Sequence, residues 1–212
     1  LGAKLKHAEN NLDRDRFDEY CTHLMIVENK TNQVVATTRL LTSEGAHLAG
    51  SFYSETEFDL ENVLQRPGRF MEVGRTCIHP NFRNGAALSL LWQGIAQEVI
   101  SRQVDYLMGC ASIPLSGGDR YLAAAMHHIR NHHFSEPTMR VSPRVPVRSE
   151  PINNPDDVIL PTLLKGYLRQ GAVVCGEPYW DAEWGVADVF VILDCEQITR
   201  RYMRHFVDRI SA

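Results

Sequence analysis

Residues 69–100 constrain this chain more than any other stretch. They read Arg-Phe-Met-Glu-Val-Gly-Arg-Thr-Cys-Ile-His-Pro-Asn-Phe-Arg-Asn-Gly-Ala-Ala and then run on as an apolar segment with helical period. Aromatic and β-branched residues over 70–78 predict a strand, Pro80 stops it, and Asn84-Gly85 turns the chain. Beyond the turn, Leu88, Leu91, Trp92, Ile95, Ala96, Val99 and Ile100 fall on one face of an amphipathic helix. A strand carrying Glu72 and Arg75 therefore feeds a helix start, where backbone N–H groups and the helix dipole favour an anion.

The 212 residues, 44% hydrophobic, suffice for one domain with its own core, so a single domain over 1–212 is expected. A formal net charge of -4 gives no global electrostatic case for nucleic acid, and any basic surface must be local. No apolar run approaches the ~20 residues of a membrane span and no signal peptide opens the chain, which makes the cytoplasm the expected compartment. Five cysteines without a C-x-x-C pair read as small buried hydrophobes rather than disulfides or a zinc site.

Ahead of the central stretch, Asp13-Arg14-Asp15-Arg16-Phe17-Asp18 gathers three acids around two arginines. Runs 22–28 and 33–42, separated by Asn29-Lys30-Thr31-Asn32, predict a β-hairpin. Arg39 stands among apolar residues of the second run and needs an acidic partner if it points inward. Residues 43–67 are mixed and predict an irregular loop with a short helix. After the central helix, 104–113 reads as a strand. Asp119 can N-cap a helix with Leu122, Ala125, Met126 and Ile129 on one face. The recurring prolines of 136–161 argue against helix. Within that segment, Arg140, Arg144 and Arg148 share a face if the chain is extended, either as a solvated edge or as a basic stripe. A short helix over 162–169, a strand at 172–175, a strand over 186–194 buried on both faces, and a basic amphipathic helix over 197–210 complete the order. Asp188 interrupts the last strand, and a buried carboxylate must be paired or functional. Elements in this order make an α/β (α+β) layer with helices against a sheet.

Two sets of side chains carry chemistry. Glu72, mid-strand among apolar neighbours, reads either as a carboxylate with a raised pKa that takes a proton or as the partner of Arg39 or Arg75. His127, His128, His132 and His133 cluster on one helix, and His128 and His132 stand at i, i+4. With no acidic third ligand nearby, no metal site is expected. His79 beside Pro80 reads as a turn residue.

Several segments together resemble the GNAT acyltransferase superfamily, and within it the bacterial ornithine lipid N-acyltransferases. They are Asp15-Arg16-Phe17-Asp18 through Cys21-Thr22-His23-Leu24, Ala36-Thr37-Thr38-Arg39-Leu40-Leu41, Glu72-Val73-Gly74-Arg75 with His79-Pro80, Leu91-Trp92-Gln93-Gly94-Ile95, Gly109-Cys110-Ala111-Ser112, and Gly171-Ala172 through Gly176-Glu177-Pro178 to Ala187-Asp188-Val189-Phe190. The first half is also similar to acyl-homoserine lactone synthases, in which an E-x-D-x-x-D cluster, an Arg-Leu-Leu strand and a Glu-x-x-Arg strand recur. Asp13 here stands in place of the glutamate.

The resemblance implies a GNAT-like mixed, mostly antiparallel sheet with helices on both faces. It implies transfer of a long, 3-hydroxylated acyl chain from acyl carrier protein to the α-amine of ornithine, with no tightly bound cofactor. Glu72 and Arg75 would be catalytic, and Asp15, Asp18 and Arg39 would bind the acceptor, with an ion-pair network among those three as the other reading. Val73, Gly74, Cys110 and Ser112 would hold the thioester and pantetheine where a bulge at 73–76 splays the central strand, and Arg83, Gly85 and Ala86 would hold phosphate. The superfamily loop Arg/Gln-x-x-Gly-x-Gly/Ala appears here as Arg83-Asn84-Gly85-Ala86-Ala87, with the glycine one residue early and the last glycine missing, which favours the single phosphate of a carrier protein over coenzyme A. Because acyl carrier protein is acidic, Arg140, Arg144 and Arg148, or Arg200, Arg201 and Arg204, would dock it. A lipid product implies peripheral contact with the inner membrane through the last helix. The relatives carry a strand and helix before the acidic cluster where this chain has a dozen residues, so its true start is expected upstream. Other readings are an N-acyl amino acid synthase with another acceptor, a lactone synthase, and a catalytically silent module that binds acyl chains or their carrier.

Overall fold

The computed structural model describes residues 13–147 and 158–196. In chain order these form β1 (Thr22–Glu28), β2 (Gln33–Thr42), α1 (Ser43–Ala49), β3 (Phe58–Asp59), α2 (Glu61–Leu64), β4 (Phe70–Ile78), α3 (Ala86–Ser101), β5 (Tyr106–Pro114), α4 (Gly118–His132), β6 (Ser142–Pro143), α5 (Thr162–Arg169), β7 (Val173–Val174), β8 (Tyr179–Asp181) and β9 (Val186–Asp194). One seven-stranded sheet runs β1-β2-β4-β5-β9-β7, with β8 also paired to β9, and β3 pairs with β6 apart from it. All its pairings are antiparallel except that of β4 with β5. The mixed, mostly antiparallel sheet expected from sequence is the one observed.

Alternation along the strands sorts the sheet into two faces. Ala36 and Leu40 of β2, Met71 of β4, Leu107, Ala111 and Ile113 of β5, and Ala187, Val189, Val191 and Leu193 of β9 pack beneath α3, α4 and α5. The α3 stripe buries Ala87, Leu91, Ile95, Ala96 and Val99, the face that its period predicts. On the opposite face Leu41, Phe70, Met108, Phe190 and Ile192 meet α1, α2 and β3 through Ala46, Phe58, Leu60 and Val63. Strand β9 is buried at every position but its last, because it carries apolar cover on both sides. The second face also receives Arg39, Glu72, Cys110, Ser112 and Asp188, which alternate with the apolar set of the first. A period of two thus brings polar residues from four strands to one side of the sheet.

Several predicted boundaries shift. Residues 43–67 are not one irregular loop but α1, a 3-10 turn Tyr53–Thr56, β3 and α2. Helix α1 is N-capped by Thr42, whose side chain accepts from the Gly45 N–H. Asp119 does not cap α4; the cap position is Gly117, and Asp119 stands in the first turn. The strand expected at 172–175 is confined to Val173–Val174, and the one expected at 104–113 runs Tyr106–Pro114. All five cysteines are free, but they are not uniformly buried: Cys175 and Cys195 are, Cys21 and Cys110 are half-buried, and Cys77 is exposed near the end of β4. The helix expected over 197–210 lies outside the described residues, as do Arg148, Arg200, Arg201 and Arg204. Among the described residues, no helix is long and apolar enough to cross a membrane.

Candidate active site

The site forms where β4 leaves β5. The two strands pair only from Phe70–Tyr106 to Glu72–Met108, and past that rung none joins them. A bulge on the other side of β4 adds to the divergence: Thr38 alone of β2 stands opposite Arg75 and Thr76, between the pairs Arg39–Gly74 and Thr37–Cys77. Arg75 takes a left-handed φ of 51° there. A non-glycine residue held in that region marks a backbone over-determined by its surroundings. Gly109 sits beside the parting point, and a Cβ on it would lie 2.5 Å from the Val73 carbonyl oxygen. The last close approach of the two strands therefore requires glycine.

The acidic segment ahead of β1 is tied to this region. Arg39 Nη1 donates to Asp15 and Asp18 at 2.7 Å each, and Nη2 donates to Asp15 at 2.8 Å. The Arg39 side chain is 7% exposed, so the acidic partners that sequence demanded for an inward arginine are both present. Burial pushes the Asp15 carboxyl up, but the hydrogen bonds and charge of Arg39 more than offset it and hold Asp15 below the usual carboxylate value. Arg75 reaches Asp13 at 3.1 Å and Asp15 at 3.2 Å, and its guanidinium lies 5.9 Å from the Trp184 ring centre. Of the three residues expected to bind acceptor, Arg39 and Asp18 are turned to each other, while Asp15 also reaches the wall of the large cavity described below.

Glu72 pairs with neither Arg39 nor Arg75. It is 4% exposed, and its oxygens accept from the backbone N–H groups of Tyr53 and Ser54 at 2.7 Å each and from the Ser54 hydroxyl. Burial pushes its carboxyl up, against these hydrogen bonds and the charge of Arg39. Ser54 Oγ lies 3.2 Å from Cys110 Sγ. A hydrogen-bonded chain Glu72–Ser54–Cys110 therefore leads outward from the core. Burial also pushes the Cys110 thiol far up, so at neutral pH it is a hydrogen-bond donor and not a nucleophile.

A cavity of 680 Å3 is walled by Asp13, Asp15, Arg75, Tyr53, Glu57, Tyr179, Trp180, Asp181 and Trp184, among others. That volume is in the ~300–1,000 Å3 range of small-molecule sites. A second, apolar cavity of about 30 Å3 lies under Val73, Trp92, Leu107, Tyr167 and Leu193. Ser112 faces Asp188 across the β5–β9 ladder and hydrogen-bonds it.

The remaining sequence candidates have local employment. Arg83 donates through Nε to the Ile78 carbonyl at 3.1 Å, and Asn84 Oδ1 accepts from the Ala86 N–H at 3.1 Å. Gly85, with φ 94°, turns the chain into α3. Arg140 lies 3.5 Å over the Phe134 ring and donates to the Ser135 carbonyl, and Arg144 donates to the Glu55 carbonyl at 2.7 Å. Each guanidinium thus spends its Nε on a backbone carbonyl rather than standing free in an evenly spaced stripe. The His128 and His132 rings lie 4.9 Å apart. His79 accepts from the Asn81 N–H and caps the turn.

Sequence reasoning missed Tyr53, Ser54, Glu57 and Asp181. They lie in short turns and strand ends without a period to single them out, and only the buried carboxylate of Asp188 signalled that a polar site faced β9.

An α/β sheet whose parallel junction opens beside a bulged central strand, with a charged cavity on one face, defines a GNAT-type acyltransferase. A family model described as an acetyltransferase (GNAT) domain matches residues 1–93. The chain is 33% identical over 227 residues to an L-ornithine N(alpha)-acyltransferase of Brucella abortus (strain 2308), covering 97% of this chain and 79% of that protein. It is 30% identical over 222 residues to one from Rhodobacter capsulatus, covering 99% of this chain and 85% of that protein. It belongs to the family of these relatives and is an acyltransferase. Among solved structures, a CoA-dependent acyl-homoserine lactone synthase with MTA shares the fold at a TM-score of 0.53 and 14% identity, over 96% of this chain and 71% of that one.

Proposed function

We propose that the chain transfers a long, 3-hydroxylated acyl group from the phosphopantetheine thioester of acyl carrier protein to the α-amine of ornithine. The observation that carries this reading is the opening of β4 from β5 beside an acid-walled cavity of 680 Å3. The relatives' names supply the acceptor. Pantetheine enters the gap between the strands, where the unpaired edges of Val73, Gly74 and Cys110 meet its amides and the thioester carbonyl. The acyl chain follows the apolar cavity under Trp92 and Tyr167. At about 30 Å3 that cavity holds roughly one water, so α3 and α5 move apart to admit the chain.

The acceptor occupies the large cavity, with its carboxylate against Arg75. Its α-ammonium must lose a proton before it attacks. The proton passes through Cys110 and Ser54 to Glu72, each group handing on one proton as it receives another. With the Cys110 thiol held protonated, the amine attacks the thioester directly and no acyl-cysteine forms; as the amide C–N bond forms the C–S bond breaks, and the pantetheine sulfur leaves as a thiolate that takes up the proton returned through the same chain. A carrier protein suits the helix start better than coenzyme A does, because Asn84 already occupies the Ala86 N–H and Arg83 spends Nε on Ile78, leaving few donors for a pyrophosphate. Arg144, exposed beside the cavity-lining Val145, and Arg140 form the local basic surface proposed for the acidic carrier.

The test is acyl transfer from 3-hydroxyacyl carrier protein to a panel of amino acids, read by mass spectrometry. Ornithine is expected to dominate. Glu72→Gln and Ser54→Ala are each expected to lower kcat by about 10²–10⁴ without loss of the folded state; Ser54→Ala breaks the chain but leaves the bonds of Glu72 to the backbone. Unchanged turnover in both removes Glu72 from proton transfer, and no product with any acyl-carrier donor overturns the reaction.

A further inference from the structure

Three carboxyl groups from separate elements converge where Glu57 and Asp181 line the large cavity, with Asp188 beside them. Glu57 follows the turn Tyr53–Thr56, Asp181 ends β8, Asp188 lies within β9, and one oxygen of each is within 4.8 Å of the others. Glu57 is 4% and Asp188 5% exposed. Among the described residues no basic side chain forms an ion pair with any of the three. Glu57 Oε2 is buried with no hydrogen-bond partner at all. An orphaned carboxylate oxygen beside two further carboxyls is costly unless a cation comes to it.

We propose that Glu57, Asp181 and Asp188 form the seat for a primary alkylammonium, the terminal ammonium of a diamino-acid acceptor. The inference rests on the reaction proposed above and names the residues that select its acceptor. Three acceptors around one ammonium, each at about 2.8 Å, stand roughly 4.6–4.8 Å apart. The rest of the wall is aromatic. Tyr53, Tyr179, Trp180 and Trp184 line the same cavity, and Trp180 and Trp184 are 49% and 37% exposed. Aromatic faces suit an aliphatic stem with a cationic end. A hard divalent ion completes its shell with water on a few carboxylates and gains nothing from the apolar aromatic wall, whereas an alkylammonium uses both. Asp181 is further fixed by the N–H groups of Glu183 and Trp184, at 2.9 and 3.0 Å. Acceptor recognition thus moves from Asp15 and Asp18, which Arg39 occupies, to this triad.

The test compares ornithine with norvaline, the same skeleton without the terminal amine. kcat and KM are measured for wild type, Glu57→Gln, Asp188→Asn and Asp181→Asn, and calorimetry records binding of both amino acids without donor. KM for ornithine is expected to rise at least tenfold in each variant with kcat within threefold, the ornithine-to-norvaline ratio of kcat/KM falling to match and norvaline unaffected. Asp181→Asn, the least buried site, carries the comparison if a melting curve shows the other two unfolded. An unchanged ratio in folded variants overturns the proposal. So does an equal fall in kcat for both amino acids, which would place Glu57 in proton transfer, and so does Mg2+ or Ca2+ binding that the variants abolish. If wild type acylates no ornithine yet binds it over norvaline in a way that Glu57→Gln removes, the site stands and the reaction falls.

Discussion

Single residues in this site trade stability for chemistry. Burial pushes the Glu57 carboxyl up to about 7, aided by the nearby charges of Asp188 and Asp181, against the opposing effect of the polar Cys110 and Tyr53 side chains. Burial likewise takes Asp188 to about 6, against the Ser112 bond. Because the folded chain keeps the Glu57 proton to a higher pH than the unfolded chain does, stability falls as pH rises from about 4.5 to 7 and stays reduced above it. Glu57→Gln is expected to melt higher than wild type at pH 8, by up to ~3 kcal/mol, and to lose that advantage near pH 5. Melting curves across this range check it. Arg39 has the opposite character. Removing it leaves Asp15 and Asp18 half-buried without their cation, so Arg39→Ala should cost about 3–5 kcal/mol, read as a shift in the denaturation midpoint.

At the scale of elements, the β4–β5 junction decides what can bind. Its parting depends on Gly109, where a Cβ would strike the Val73 carbonyl. Gly109→Ala is expected to cost about 1–3 kcal/mol and to raise KM for the thioester donor more than KM for the amino acid. Steady-state kinetics with each substrate varied in turn would show the split. How much of this was legible in sequence differs by element. Hairpin β1–β2, β4, α5 and β9 fall where propensity and period placed them, because each carries its own local signal. The turn Tyr53–Thr56 had none: it is held by Glu72 accepting two of its backbone N–H groups, a contact eighteen residues away in the chain.

Across the whole molecule, a net charge of -4 means that an acidic carrier protein can be met only by a local surface. If Arg144 and its neighbours provide that surface, added salt should raise KM for the acyl carrier protein several-fold while KM for ornithine moves little. Arg144→Glu should reproduce the effect at low salt. The same assay with acyl-CoA as donor should be insensitive to Arg144.

The central stretch of residues 69–100 settled by itself that a strand with Glu72 and Arg75 runs into a long helix, and the order of its neighbours settled the α/β layer. Those features follow from nearest-neighbour propensity and periodicity, which a linear chain displays. Which carboxylates pair with arginine and which stay unpaired was decided only in three dimensions. Asp15 and Asp18 found Arg39, Glu72 found the backbone of a turn, and the pairing of β8 with β9 brought Asp181 to Asp188 while the end of the turn Tyr53–Thr56 carried Glu57 to both. Burial and the identity of the nearest charge set what a carboxyl does, and both belong to the packed sheet rather than to the sequence around each residue.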